Sequence, residues 1–400
     1  MTKPATTVPA ILPRAVAMMA MLQALVALAI FSVSVTAPAT GVSLQTVGLF
    51  QAVLFGVGAI LSLLAGKLCA RFGPIRVAQG CALAVAAGAL LLAGASAAPL
   101  SIGWLLCGAV LFGLAFGPET PASSAFLGPL TPPAKRPLVF SIRQTGNQIG
   151  AMLGSLILPA IAAVAVPSAF GLIAAIALLV ALLLGTMHHH PAPAPGDGAA
   201  TLRLLDGWRA VRANRDLSRL VVPVLAFSAM QACLNSFLAL HAVQAWGWAP
   251  VQAGMLVAAA QGGGLAGRLL WGALASHFST ARVWLGGIGA GMSVCALMIG
   301  LAPADLGAAT LLVISLAFGL TASGWNGVFL AEVARLSPGF EAANTGALLM
   351  PSYAGLVLGP IAFPLFVSPA FAGAGFLALA AAGVAGTLSL LLSRGEERRR

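Results

Sequence analysis

Residues 48–77 read GLFQAVLFGVGAILSLLAGKLCARFGPIRV, and residues 254–283 read GMLVAAAQGGGLAGRLLWGALASHFSTARV. Slid over one another by 206 positions, the two stretches share eleven of thirty residues, among them Gly48/Gly254, Gly56/Gly262, Gly66/Gly272, Phe72/Phe278 and Arg76/Arg282. Alanine and leucine match by chance in apolar helices. Matched glycines and a matched arginine are harder to obtain that way. The same shift lays Phe112-Gly113-Leu114 over Phe318-Gly319-Leu320 and Pro132 over Pro338. A shift of 205 then lays Gly150, Gly154 and Pro159 over Gly355, Gly359 and Pro364. The chain is thus two copies of one plan in the same direction, and self-similarity at a fixed period decides the fold before any single element is read.

The solvent of that plan follows from composition. Hydrophobic residues make up 60% of the 400 and charged residues 7%, where a soluble domain has roughly 45–50% and 25%. Nine acids and twenty bases cannot solvate a globule of this size. Disordered chains are poor in apolar residues, so disorder is excluded by the same figures. A bilayer-spanning helix needs about 20 residues. Apolar stretches at about 14–37, 44–65, 77–98, 102–129, 137–164, 168–187, 219–245, 250–275, 283–302, 306–335, 342–367 and 370–393 predict twelve of them. The first is too long for a signal-peptide core and carries Pro38 directly after Val35-Thr36-Ala37, so it is read as an uncleaved helix.

Orientation follows from the bases. With the amino terminus inside, all twenty Lys and Arg fall on the inner side or at inner helix ends, and the opposite loops hold only Asp305. The positive-inside rule then puts both termini in the cytoplasm. The net charge of +11 reflects topology and not nucleic acid. The organisation expected is a bundle over 1–187, a linker over 188–218 and a second bundle over 219–400. The linker opens on His188-His189-His190 and a Pro-Ala run, a stiff spacer. Its residues 201–219 predict a basic interfacial helix, with Arg212, Arg215 and Arg219 on one face and Leu204, Leu205 and Trp208 toward lipid. No ligands accompany the three histidines, so no metal or other cofactor is expected. The five scattered cysteines read as small buried thiols.

Between spans 2 and 3 stands Gly66-Lys67-Leu68-Cys69-Ala70-Arg71-Phe72-Gly73-Pro74-Ile75-Arg76. This resembles the major facilitator signature G-x-L-x-D-R-x-G-x-x-R. The resemblance implies an all-α membrane fold of twelve transmembrane helices in two pseudo-symmetric six-helix bundles, related by an axis along the membrane normal. The family's acid is replaced by Ala70, and by Ser276 in the second copy, Gly272-Ala273-Leu274-Ala275-Ser276-His277-Phe278. In the family that acid helps to lock the cytoplasmic gate. The gate residues expected here are Gly66, Arg71, Arg76, Arg268, Gly272, Arg282, Glu332 and Arg335, with Glu332 bridging to Arg268, Arg282 or Arg335. Residues 140–146 and Gly324-Trp325-Asn326-Gly327 are loosely similar to cyanate and organic-anion permeases.

An ionisable group inside a span is costly and therefore a candidate for function. At 1.5 Å per residue, Glu119 lies roughly 15 Å from the inner end of span 4, near the midplane. Two readings stand: a proton carrier, or a permanent partner of Arg143 on the next span. Arg143 in turn attracts an anionic substrate or reaches toward the cytoplasm. Gln23, Asn147, Gln148, Gln231, Asn235, Gln261, Asn326 and Tyr353 fall within one layer, roughly 14–26 Å from the inside. With Trp325 they are the candidate substrate cavity; the competing reading is hydrogen bonding between helices. His241, near the outer end of span 7, reads as structural.

No nucleophile–base or metal constellation points to an enzyme, and no phosphate loop points to ATP. The expected function is secondary transport of a small organic solute by alternating access, as a proton-coupled organic-anion symporter. Efflux of a greasy solute by proton antiport, and a sensor or scaffold that keeps the fold, are the alternatives. The expected setting is a monomer in a bacterial inner membrane, with solute, protons and lipid as its partners.

Overall fold

The computed structural model describes residues 11–96, 101–132, 135–187, 204–277, 281–336, 341–368 and 370–391. The His-Pro stretch of the linker, Lys3, Arg203, Pro338 and the carboxyl-terminal arginines lie outside them. The described residues form fifteen helices: α1 (Leu12–Thr40), α2 (Leu44–Phe72), α3 (Pro74–Ala95), α4 (Ile102–Leu130), α5 (Arg136–Val164), α6 (Val166–Gly185), α7 (Leu204–Ala213), α8 (Arg215–Ser218), α9 (Val221–Trp246), α10 (Pro250–His277), α11 (Ala281–Leu301), α12 (Ala308–Ala322), α13 (Trp325–Leu336), α14 (Glu341–Phe366) and α15 (Ala374–Leu391). Lipid offers the backbone no hydrogen bonds, so each span bonds to itself as a helix. Eleven helical stretches among the described residues are long and apolar enough to cross a bilayer. The 28-residue α10 is of spanning length as well.

Glycine sets the sharpest turns. Gly73 adopts φ 85° between α2 and α3, where Pro74 then starts α3. Gly247 at φ 67° ends α9 in the left-handed conformation, which costs a residue without Cβ least.

Three expectations are corrected. Span 10 is not one helix: it is α12 and α13, interrupted at Ser323-Gly324. A Cβ on Gly324 would run into the Trp271 indole, and that indole N–H donates to the Leu320 carbonyl at 2.9 Å. The linker helix is likewise two pieces, α7 and α8. The cysteines are not all buried, since Cys107 is exposed and Cys69 half-buried.

Contacts divide the chain into two compact units. The first comprises Met1–Ser32, Val53–Gly154 and Val164–Ala199; the second comprises Val33–Ala52, Ser155–Ala163 and Ala200–Arg400. In the first unit α5 lies so close to α1 that a Cβ on Gly146 or Gly150 would overlap the carbonyl of Ala20 or Ala24. In the second, Gly355 and Gly359 of α14 meet Leu225 and Ala229 of α9 in the same way. Gly150 and Gly355 are related by the 205-residue shift, as are Ala20/Leu225 and Ala24/Ala229, so the same pair of helices meets in both copies, about one helical turn apart along α5 and α14. Gly113 of α4 against Leu54 of α2 is matched by Gly319 of α12 against Ala260 of α10. The repeat seen in the sequence is therefore a repeat of helix contacts, in which small residues let backbones approach closely where lipid gives no hydrophobic drive to associate.

The second unit also contains the halves of α1, α2 and α5 remote from the arginine-bearing loops. There Gly48 sits on the Pro360 carbonyl, with Pro364 Cγ 3.5 Å from where its Cβ would be; Gly254 sits on the Ser155 carbonyl, with Pro159 Cγ at 3.2 Å. Gly48/Gly254, Ser155/Pro360 and Pro159/Pro364 are repeat mates, so one contact is made twice.

Candidate functional site

Helix α4 runs through Pro118 and Pro121, and each proline removes one backbone donor. Glu119 lies between them, 3% exposed. Its carboxylate accepts hydrogen bonds from Thr120 Oγ1 at 2.7 Å, Ser123 Oγ at 3.0 Å and Arg143 Nη1 at 3.1 Å. The same Nη1 of Arg143 donates to Gln23 Oε1 at 3.0 Å. Glu119 and Arg143 form an ion pair with side chains 4% and 1% exposed. Removing charges from water costs several kcal/mol per ion, which attraction returns only when geometry and extra hydrogen bonds are good. Here two hydroxyls and one amide complete the pair, while Arg143 Nε has no partner. Gly146 and Gly150, on α5 after Arg143, bring that helix against α1, which carries Gln23. Arg143 thus turns to Glu119 and Gln23 within the first unit.

The remaining predicted polar residues sort into groups. Gln148 on α5 is 1% exposed, and neither of its amide atoms has a partner. In the second unit Gln261 Nε2 donates to Asn235 Oδ1 at 2.6 Å, joining α10 to α9. Gln231 Nε2 donates to Ser323 Oγ at 3.4 Å, at the break in span 10. Trp325 is buried between Phe227 and Phe329, its indole N–H without a partner. Asn147, Asn326 and Tyr353 are half-buried. Ser352, the repeat mate of Asn147, bonds Ser228 at 2.7 Å. His241 is buried with its ring edge-on to Trp246 and Phe376.

A second ionic group lies in the second unit. Glu332 is 1% exposed. It accepts from Arg335 Nε at 2.7 Å and Nη2 at 2.8 Å, and Arg282 Nε lies 3.8 Å away. The two hydrogen bonds to the carboxylate raise the Arg335 pKa above its ordinary value. Of the three partners expected for Glu332, Arg335 and Arg282 hold it, while half-buried Arg268 lies on α10. Asp216, on α8, was not foreseen: it pairs with Arg282 and, at 3.0 Å, with Arg219. An acid amid the linker arginines was the only available signal. In the first unit Arg71 lies over the Phe72 ring at 5.2 Å, and Gly66 and Arg76 are exposed; Gly272 lies within α10.

Solved structures of known transporters share this fold. Among solved structures, the nucleoside transporter NupG superposes with a TM-score of 0.77 at 16% identity, covering 95% of this chain and 98% of its own. The peptide transporter POT in complex with sulfate gives 0.73 at 16%, covering 96% and 94%. A bacterial homolog of the human lysosomal transporter Spinster, in an inward-facing and unoccupied conformation, gives 0.69 at 16%, covering 96% and 95%. No curated protein matches the chain. Likeness at such identities speaks for the fold alone; the closer tie to cyanate permeases finds no counterpart among these structures. The Major Facilitator Superfamily profile matches residues 15–360, and with the repeated helix contacts and the all-helical architecture it follows that this chain is a multi-pass membrane transporter belonging to that superfamily.

Proposed function

We propose that the protein is a proton-coupled secondary transporter of a small organic anion, working by alternating access between the bundles 1–187 and 219–400. The observation that carries this is the buried Glu119–Arg143 pair with an uncommitted guanidinium N–H. The pair is neutral. In a medium of low dielectric a net buried charge is expensive. An anion that takes Arg143 makes the site negative unless Glu119 accepts a proton. Anion and proton then load together and leave together, and the cycle moves no net charge.

The test is uptake by purified protein in proteoliposomes, screened with small carboxylates, neutral nucleosides and lipophilic cations. A carboxylate should accumulate toward the alkaline side, about tenfold per unit of pH difference, with no response to membrane potential alone. Accumulation of a cation toward the acidic side would favour antiport efflux. A potential-driven response to the carboxylate would end the symport reading.

Glu332 is proposed as the inner gate residue of a chain that has no acid at 70 or 276. Glu332→Gln weakens its hold on Arg335 and Arg282. Labelling of cysteines introduced on the inner face should rise in this variant under an impermeant maleimide applied from that side. Unchanged labelling would remove Glu332 from the gate.

A further inference from the structure

The second copy of the loop motif has Ser276 where an acid is usual, yet Arg282, the repeat mate of Arg76, does meet a carboxylate outside its own motif. That carboxylate is Asp216, on the short helix at the end of the linker. Its position is not casual. Asn214 caps α8, its side-chain oxygen accepting from the backbone N–H groups of Asp216 at 3.0 Å and Leu217 at 3.3 Å. Ser218 Oγ donates to the Val211 carbonyl at 2.6 Å, clasping α8 back against α7. Val211 and Leu217 are each 1% exposed, and α7 packs along α14. The burial of Val211 and Leu217 turns that face of the segment toward protein and away from lipid. The segment is folded against protein, and its clasped turn presents Asp216 to Arg282, which also lies next to Glu332.

We propose that α7–α8 is a latch, in which Asp216 replaces from the linker the acid missing at position 276 and, by holding Arg282, fastens the linker to the inner end of the carboxyl-terminal helices. Arg282 is then shared by two carboxylates, a fixed one on α13 and one that the linker can withdraw. The first copy has no counterpart, since the position one repeat before Asp216 is Ala10. The device therefore belongs to one half only. It does not depend on which solute is carried.

The test is limited trypsin digestion of the purified full chain, scored as cleavage at Arg209, Arg212, Arg215 and Arg219 relative to cleavage at Arg14 and Lys135. General loosening of the fold raises both classes; release of the latch raises only the first. Asp216→Asn should speed cleavage in the segment about fivefold, the upper range for a part-exposed ion pair. Asp216→Glu should stay near the parent rate. In an Arg282→Gln background Asp216→Asn should add little, because the partner is already gone. A parent-like rate in Asp216→Asn overturns the proposal. So does an equal acceleration with and without Arg282, which would leave Asp216 bound only to Arg219 within its own segment.

Discussion

Glu119→Gln should abolish accumulation driven by a pH gradient while leaving solute exchange intact. The amide keeps an acceptor oxygen for Arg143 Nη1, and the Thr120 and Ser123 hydroxyls, at 2.7 Å and 3.0 Å, keep a partner. What the variant loses is the capacity to gain and release a proton. With the negative charge gone, the buried guanidinium is left uncompensated. Breaking such a pair costs about 3–5 kcal/mol unless an anion replaces the carboxylate. Carboxylate binding should therefore tighten, and the variant should melt at a lower temperature without the anion and recover with it. Counterflow in proteoliposomes at equal pH on both sides measures exchange; the same vesicles under a pH gradient measure accumulation. Gradient-driven accumulation at the parent level would reduce Glu119 to a structural partner of Arg143.

Gly254→Trp should hold open the end of the molecule remote from the basic loops. The backbone of α10 at this position rests on the Ser155 carbonyl, so the indole has nowhere to go while the contact persists. Overpacking inside a well-filled core costs about 1–3 kcal/mol even for added methylenes, and an indole exceeds that. Ser155 is 1% exposed. A Ser155→Cys thiol should thus be inert to a membrane-impermeant maleimide in the parent and reactive in the Gly254→Trp background, with transport lost. Gly262→Trp is the control, because no atom lies within 4 Å of a Cβ there. An inert Ser155→Cys thiol beside Trp at 254 would mean that the wedge is absorbed without separation.

The sequence made the bundle plan legible because the repeat preserves contacts: matched glycines such as Gly150 and Gly355 are where backbones touch. It also made the Glu119–Arg143 partnership legible, since helical rise puts the two near one depth on consecutive spans. Depth could not separate Gln261, which bonds Asn235 at 2.6 Å, from Gln148, whose amide has no partner. That difference depends on which way each helix faces. The interruption of span 10 was hidden because Ser323 and Gly324 are tolerated in apolar helices, and the cause lies on another span, in Trp271. Asp216 was hidden for a similar reason. Its neighbours along the chain are arginines, and the partner that matters is 66 residues away.

Span 10 is a jointed rod, fifteen residues of α12 followed by twelve of α13. A continuous helix tilted at one end must tilt at the other. A jointed one can pivot below the joint while the upper piece stays seated, here with Gly319 on Ala260. The lower piece carries Glu332 and Arg335, so the ionic group they form can be rearranged without unpacking the glycine seam between α10 and α12. The joint is held by Trp271 on the Leu320 carbonyl at 2.9 Å and by Gln231 on Ser323. Gln231 belongs to the polar layer that the carried solute is proposed to occupy. A solute that recruits the Gln231 amide would slacken the joint, and its arrival there would then be felt as leverage at the end that bears the basic loops.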